Sequence, residues 1–524
     1  MNFWKCLKLF VLLLVVNGVS LAESAKILAI FPFPGPSQYL VVQPYLKTLA
    51  GRGHEVTVIN AFPQKKPIDN YRDIEVPEVM KYVGDLFSYA DLRMNKLKEV
   101  LGYSWYYSSI VRDVMGNANV QKLLQSEEEH FEMVIVETLQ TDVFYGFAQH
   151  FNASLIGFSS YGTDPYIDSL VDNISPLAYN PLFSGNSMER MDFWQRLENM
   201  WHNLIMLCHR VLIHNPLHDG LYREYFPHAR KSLEDMRQNI SLILLNQHYS
   251  LSFPRPYVTN MIEVGGFHLQ PKPQPLPKDI EEFIGNSEQD VIYFSMGSNI
   301  RSEHFPEPIR KVILETFAQL PYKILWKFEN PALMANKPSN VFISKWFPQG
   351  DILNHPKVKL FISHGGLLSL TESIYYGKPI LGMPIFFDQH RNIQRAKQYG
   401  FALFLDYATL NVTGFTASIR ELMENPQYLQ RAQDISRRYR DQPIDPMEKA
   451  IYWTEFVLRH HGAPFLRSPA QYLNFWQKHS WDTAGFLLAC VFVGLFGSVF
   501  VFVKLLRIIS HLKKMLLKGK PKSD

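Results

Sequence analysis

The run from Trp346 to Gln394, WFPQGDILNHPKVKLFISHGGLLSLTESIYYGKPILGMPIFFDQHRNIQ, sets aromatic and polar side chains at the ends of short apolar segments. His364-Gly365-Gly366 closes one such segment and opens a helical pattern. Glycines at that place let the backbone approach a phosphate, and the unpaired N–H groups of a helix start favour an anion. His364 adds a donor for a diphosphate oxygen. Glu372 falls on the second turn of the same helix, within reach of ribose hydroxyls. Trp346 offers a flat face to a base, and Gln349 can read the edge of an amide-bearing ring. Asp388 and Gln389 follow a strand and the Pro384 turn, a carboxylate beside an amide, suited to the paired hydroxyls of a hexose. Singly these are ordinary features: a His-Gly-Gly turn is a plain helix start, and a Trp is a core residue. Together, at strand ends in one short run, they make a nucleotide-sugar pocket.

Such a pocket needs strands to hold it, and the strands are legible. Lys26–Phe31 (KILAIF) is a buried strand closed by Pro-Phe-Pro-Gly-Pro. Residues 38–51 have helical periodicity, and 55–59 form a second strand, which makes a βαβ unit. Residues 131–137 are a further strand, followed by a helical 143–150. Residues 270–279, QPKPQPLPKD, form a stiff, extended linker. After it the strand–helix rhythm restarts, with strands at Val291–Ser295, 322–327, Val341–Ser344, 360–363 and 380–384. The fold class expected is α/β: two Rossmann-like domains, 23–269 and 280–460, facing each other across a cleft. Ligands then sit beyond the carboxyl ends of the strands.

The ends locate the protein. Residues 1–22 carry Lys5 and Lys8, a short apolar core and the small-residue exit Ser20-Leu21-Ala22, as a cleaved secretory signal does. Residues 483–503 hold no charge and, as a helix, span about 30 Å, the thickness of a hydrocarbon core. The tail 504–524 is strongly basic, which keeps it cytosolic and leaves the body luminal, a single-pass anchor. Lys520 and Lys522 resemble a dilysine endoplasmic-reticulum retrieval signal. Although the chain is +4 overall, the basic ends leave the body at about −4, which argues against nucleic acid as a partner. Sequons at Asn152, Asn173, Asn239 and Asn411 fit a luminal body, with Asn173 weakened by Pro176. Of the three cysteines, Cys6 lies in the signal and Cys490 in the span, so Cys208 is alone in the body and no intramolecular disulfide is expected.

The signature WFPQGDILNHPKVKLFISHGG…TESIYYGKPI…PIFFDQHRNI resembles that of the UDP-glycosyltransferases, in their membrane-bound microsomal and insect branch. The resemblance extends to the signal, the RGH turn, FSMGS at the second domain's first strand, the span and the basic tail. It implies the GT-B fold, inversion at the anomeric centre and no catalytic metal; the chain has no Asp-x-Asp element. It implies further that residues 441–481 include helices crossing back onto the first domain. The implied donor-binding set is Ser298, Trp346, Gln349, His364, Gly366, Glu372, Asp388 and Gln389. Leu367 and Leu368 stand where vertebrate relatives carry a small residue and Asn. That looks like the insect pattern and favours UDP-glucose over UDP-glucuronate as co-substrate, with no other cofactor.

One position departs from the family. The first-strand loop usually presents a His that takes the acceptor's proton, and here it presents Gln38. An amide does not accept a proton near neutral pH. The acid that pairs with that His maps onto Glu137, with Asp142 close behind, and His54 in the RGH turn is no substitute. Three routes stay open: Glu137 acts as base through a water; the acceptor is already nucleophilic and Gln38 only positions it; or the chain is a binding protein that kept the donor pocket. The acceptor expected is small and lipophilic, met by loops at 103–108 and 161–170. Residues 201–213, WHNLIMLCHRVLI, read as an amphipathic helix packing on the domain rather than as a membrane contact. An oligomer is compatible with all of this.

Overall fold

The computed structural model describes residues 24–83, 96–182, 188–269, 273–285, 288–385 and 388–518. The signal segment, the start of the proline-rich linker and the Lys520–Asp524 terminus lie outside the described residues. Among the described residues, thirteen strands form two wholly parallel sheets. In the first, β1 (Lys26–Phe31), β2 (Glu55–Asn60), β3 (Tyr71–Glu75), β4 (Met133–Glu137), β5 (Ser154–Ser159), β6 (Ile240–Leu245) and β7 (Met261–Glu263) lie in the order β3-β2-β1-β4-β5-β6-β7. In the second, β8 (Val291–Ser295), β9 (Lys323–Lys327), β10 (Val341–Ser344), β11 (Val358–Ser363), β12 (Ile380–Gly382) and β13 (Ala402–Phe404) lie in the order β10-β9-β8-β11-β12-β13.

Parallel strands covered on both faces must be apolar throughout, not alternating. Thus β4 (MVIVE), β6 (ISLILL) and β8 (VIYFS) are buried at every position. Each sheet carries a hydrophobic layer on either face. β3, β5, β6, β7 and β13 were not foreseen; β3 (YRDIE) is mostly polar, and β7 (MIE) and β13 (ALF) are only three residues long. The other strands were read within a few residues of their bounds.

Helices position the rest. α1 (Pro36–Gly51) starts with Pro36 in its first turn and buries Val41, Val42, Tyr45, Leu46 and Leu49. α2 (Lys96–Gly116), α3 (Pro165–Leu170), α4 (Phe193–His209) and α5 (Asn215–Tyr225) build one side of the first domain. In the second domain, α6 (Leu367–Tyr375) follows β11 and α7 (Gln389–Gln398) follows β12. α8 (Pro446–Arg459) returns to the first domain. Ala450, Ile451 and Val457 join the α1 layer, Thr454 shares a 2.5 Å hydrogen bond with Tyr45, and Arg52 holds Glu448 at 2.6 Å. The crossing therefore begins at Pro446, inside the span expected for the second domain. Separately, α9 (Trp481–Lys518) is a single 38-residue helix, long and apolar enough to cross a membrane.

The helix expected at 201–213 is present, but it does not bury its apolar residues. Trp194, Trp201 and Leu212 are 72, 59 and 72% exposed, with Leu197, Met200, Leu204 and Val211 exposed beside them. A π turn, Arg210–His214, joins α4 to α5 and brings His209, His214 and His218 onto the buried side.

Candidate functional site

The two sheets face a cleft of about 570 Å³ lined by loops from both domains. Its donor side is built from the carboxyl ends of β8 to β12. All eight residues of the expected donor set line it: Ser298, Trp346, Gln349, His364, Gly366, Glu372, Asp388 and Gln389.

His364 directly follows β11 and is 8% exposed. Its ring lies between Gly297 and Gly366, where a Cβ on either would run into it. Gly297 also has φ +81°, a left-handed conformation that glycine adopts without strain. Nδ1 of His364 has no protein partner. Burial, aided by the neighbouring Lys327 charge, pushes its pKa down to about 4, so the imidazole is neutral near pH 7. Gly366 caps α6 with no side chain over the helix start, which leaves those N–H groups free for an anion.

Gln349 and Glu372 do not act apart. The Gln349 amide donates to the Glu372 carboxylate and, at 3.4 Å, to Ser369, and it accepts from Tyr293 at 3.2 Å. Burial pushes Glu372 up to about 7, against the pull of Gln349. Asp388 accepts from Asn392 at 2.6 Å, and Asn392 also holds the Gly365 carbonyl at 3.0 Å. Burial raises Asp388 to about 6. The Gln389 side-chain carbonyl accepts from the Ile385 amide at 2.9 Å. Trp346 is 60% exposed, with Lys327 5.6 Å over its ring.

The acceptor side comes from loops after β1, β4 and β5 and from α2 and α4. Gln38 lines the cleft. Its Oε1 accepts from the Ser37 hydroxyl at 2.8 Å, which in turn accepts from Asn299 at 3.1 Å. The chain Asn299–Ser37–Gln38 therefore bridges the two domains. Glu137 ends β4 but is not on the cleft wall. It is 3% exposed, its Oε1 is unpartnered, and burial pushes it up to about 7, with the Ser160 hydroxyl pulling the other way. Asp142 is committed elsewhere. It binds Arg237 at 2.6 Å and the Tyr166 hydroxyl, with His214 at 3.4 Å. Among the described residues, Asp142, His214 and His218 come close enough to hold a metal, but the Arg237 guanidinium already supplies the cation there. His54 is buried at the RGH turn and accepts from the Ala25 amide at 3.3 Å, away from the cleft.

Sequence reasoning missed Lys327, Asn299 and His268 on the wall, whereas Tyr107 and Asp164 fall inside the segments expected there, 103–108 and 161–170, with no role assigned to either. Lys327 had a signal, a charge at the end of the apolar strand KILWK. Asp164-Pro165 reads as a helix start and nothing more. Of the sequons, Asn152 and Asn411 are exposed and Asn239 is half-buried. Asn173 is buried, its amide donating to Asp168 at 2.9 Å and to the Pro256 carbonyl at 3.0 Å, so it is not presented for a glycan.

Comparison with known proteins agrees with this layout. The family model described as UDP-glucoronosyl and UDP-glucosyl transferase matches residues 26–516. The chain is 35% identical over 494 residues to UDP-glucosyltransferase 2 of Dactylopius coccus, covering 93% of this chain and 94% of that one. It is 32% identical to UDP-glucuronosyltransferase 2B9 of Macaca fascicularis, covering 87% and 88%. Among solved structures, the calicheamicin glycosyltransferase CalG4 superposes with a TM-score of 0.56 at 12% identity, over 84% of this chain and 99% of that one. The two facing parallel sheets are the GT-B fold.

Proposed function

Because the chain belongs to the UDP-glucuronosyl and UDP-glucosyl transferase family, we propose that it transfers glucose from UDP-glucose to a small lipophilic acceptor, inverting the anomeric centre. The observation that carries this reading is the His364 ring seated between Gly297 and Gly366 beside the open start of α6. That arrangement suits a diphosphate leaving group, whose growing charge it stabilises without reorganising. The Gln349–Glu372 pair and the Trp346 face suit the nucleoside, and Asp388 with Gln389 suits the hexose hydroxyls. The acceptor oxygen attacks C1 as the bond from C1 to the UDP oxygen breaks, and the electron pair leaves on UDP.

UDP-glucose is favoured because the apolar Leu367 and Leu368 line the cleft at the positions where vertebrate relatives carry a small residue and Asn. The proposed setting is the endoplasmic-reticulum membrane, with α9 as a single-pass anchor, the body luminal, the basic tail cytosolic and glycans at Asn152, Asn239 and Asn411. Gln38 favours a second reading, a binding protein that retains the UDP-sugar pocket.

The test is hexosyl transfer in membranes with UDP-glucose and a panel of alcohols, phenols, amines and thiols, wild type beside Gln38→His and His364→Ala. Turnover by the wild type and none by His364→Ala is expected. Turnover gained only in Gln38→His would instead make the natural chain a binder.

A further inference from the structure

We infer that Asp164 is the catalytic base of the transfer, taking the proton that the Gln38 amide cannot. The inference rests on the proposed transfer. Among the described residues that line the cleft, three carboxylates occur. Glu372 and Asp388 belong to the donor side, and Asp164 alone stands at the acceptor end. Glu137, the acid that the family pattern points to, sits behind the wall with Ser160 in front of it.

The topology supports the assignment. β1, β4 and β5 are neighbours in the sheet, with β4 between the other two. Parallel neighbours lie about 4.8 Å apart, so the loops after β1 and β5 leave the sheet roughly 10 Å from each other. Gln38 lies in the first turn of α1, just after the β1 loop, Asp164 ends the loop after β5, and both line the cleft. Asp164 is also held in place. Its Oδ1 accepts from the Ile167 amide at 2.8 Å, capping α3, and its Oδ2 accepts from the Tyr161 hydroxyl at 3.2 Å. The Tyr166 amide also donates to this carboxylate, and the lone pair that these three bonds leave unused can take the acceptor's O–H. Burial pushes the pKa of Asp164 above the ordinary carboxylate value, the Ile167 amide pulling against it and the Asp168 charge adding to it. A carboxylate so shifted is a better proton acceptor at neutral pH. His268 also lines this end of the cleft, with both ring nitrogens unpartnered. However, both its ring nitrogens are closed off from solvent, and burial pushes its pKa down to about 4.

The step balances. The acceptor O–H breaks and its proton goes to Asp164. The new O–C1 bond forms as the C1–O bond to UDP breaks, with the electron pair leaving on UDP. Asp164 then returns the proton to water in the open cleft.

Asp164→Asn separates this role from a structural one, because Asn caps a helix about as well as Asp. The full-length chain is assayed with UDP-glucose and two probes, octanol and para-nitrophenol. Expected for Asp164→Asn is a fall in kcat of about 10²–10⁴ on octanol, a much smaller fall on the acidic phenol, and unchanged UDP affinity and melting temperature. In the Gln38→His background the same substitution should cost far less, because the introduced imidazole supplies a second base. Octanol turnover that survives Asp164→Asn but is lost in Glu137→Gln would overturn the assignment and leave the transferase reading standing. Wild type that turns over neither probe, nor any acceptor of the broader panel, would overturn both.

Discussion

The two sides of the cleft are built on different plans. Donor-side groups are tied to one another: Gln349 to Glu372, Asp388 to Asn392, Asn392 to the Gly365 carbonyl. Where a donor-side atom lacks a partner, as Nδ1 of His364 does, it stands where the diphosphate is proposed to lie. On the acceptor side, buried polar atoms lie unpaired without one evident ligand to satisfy them: Oε1 of Glu137 and both nitrogens of His268. A side that binds one invariant nucleotide can be prearranged in full, whereas a side that meets varied acceptors gains from groups not yet committed. Buried polar atoms without partners cost stability, so the acceptor side should be the less stable half and the more tolerant of substitution.

The largest expected effect is on the prearranged side. His364→Ala removes the donor proposed to face the leaving group, and loss of one such donor costs about 10²–10³ in rate. The loss should be equal for alcohols, phenols and amines, with weaker UDP binding measured by calorimetry. A loss confined to one acceptor class would break the division between the two sides.

A smaller effect concerns stability. Glu137 is raised from 4.5 to about 7 by burial. Between those values the unfolded chain has released the proton and the folded chain still holds it. Stability therefore falls as pH rises from 4.5 to about 7, and the whole cost, up to about 3 kcal/mol, is present above that. Glu137→Gln abolishes this titration. The variant should gain melting temperature over the wild type at pH 8 and little or none at pH 4.5, read on the full-length chain in detergent. An equal difference at both pH values would mean that Glu137 is ionised in the folded protein and has a charge partner.

The same contrast explains what the sequence disclosed. The donor side lies within one continuous run, and its chemistry depends on residue types with few substitutes: a ring between two glycines, an amide beside a carboxylate. The alternation of strand and helix was also legible, since parallel strands read as apolar runs. The acceptor side is assembled from residues as far apart as Gln38 and His268, and only the sheet order β1-β4-β5-β6-β7 brings their segments to one edge. Asp164 looks in sequence like an ordinary helix cap, which it also is. The outward apolar face of α4 was misread for a related reason: periodicity gives a helix its two faces but does not say which one finds a partner.

The smallest effect is at Met206, on α4. Met206 lines the cleft, while Trp201 and Leu204 on the same helix point outward. Truncating a methionine that covers a ligand removes apolar contact worth about 1–2 kcal/mol. Met206→Ala should therefore raise KM for a lipophilic phenol by roughly tenfold, while UDP affinity and kcat stay as they are. A polar amine acceptor should show almost no change. The comparison is sharpened by its neighbour, because Trp201→Ser alters only the outer face and should leave both KM values alone. If Met206→Ala instead lowered kcat for every acceptor, α4 would be holding the geometry of the reacting groups, and the acceptor side would be less tolerant than its unpaired atoms imply.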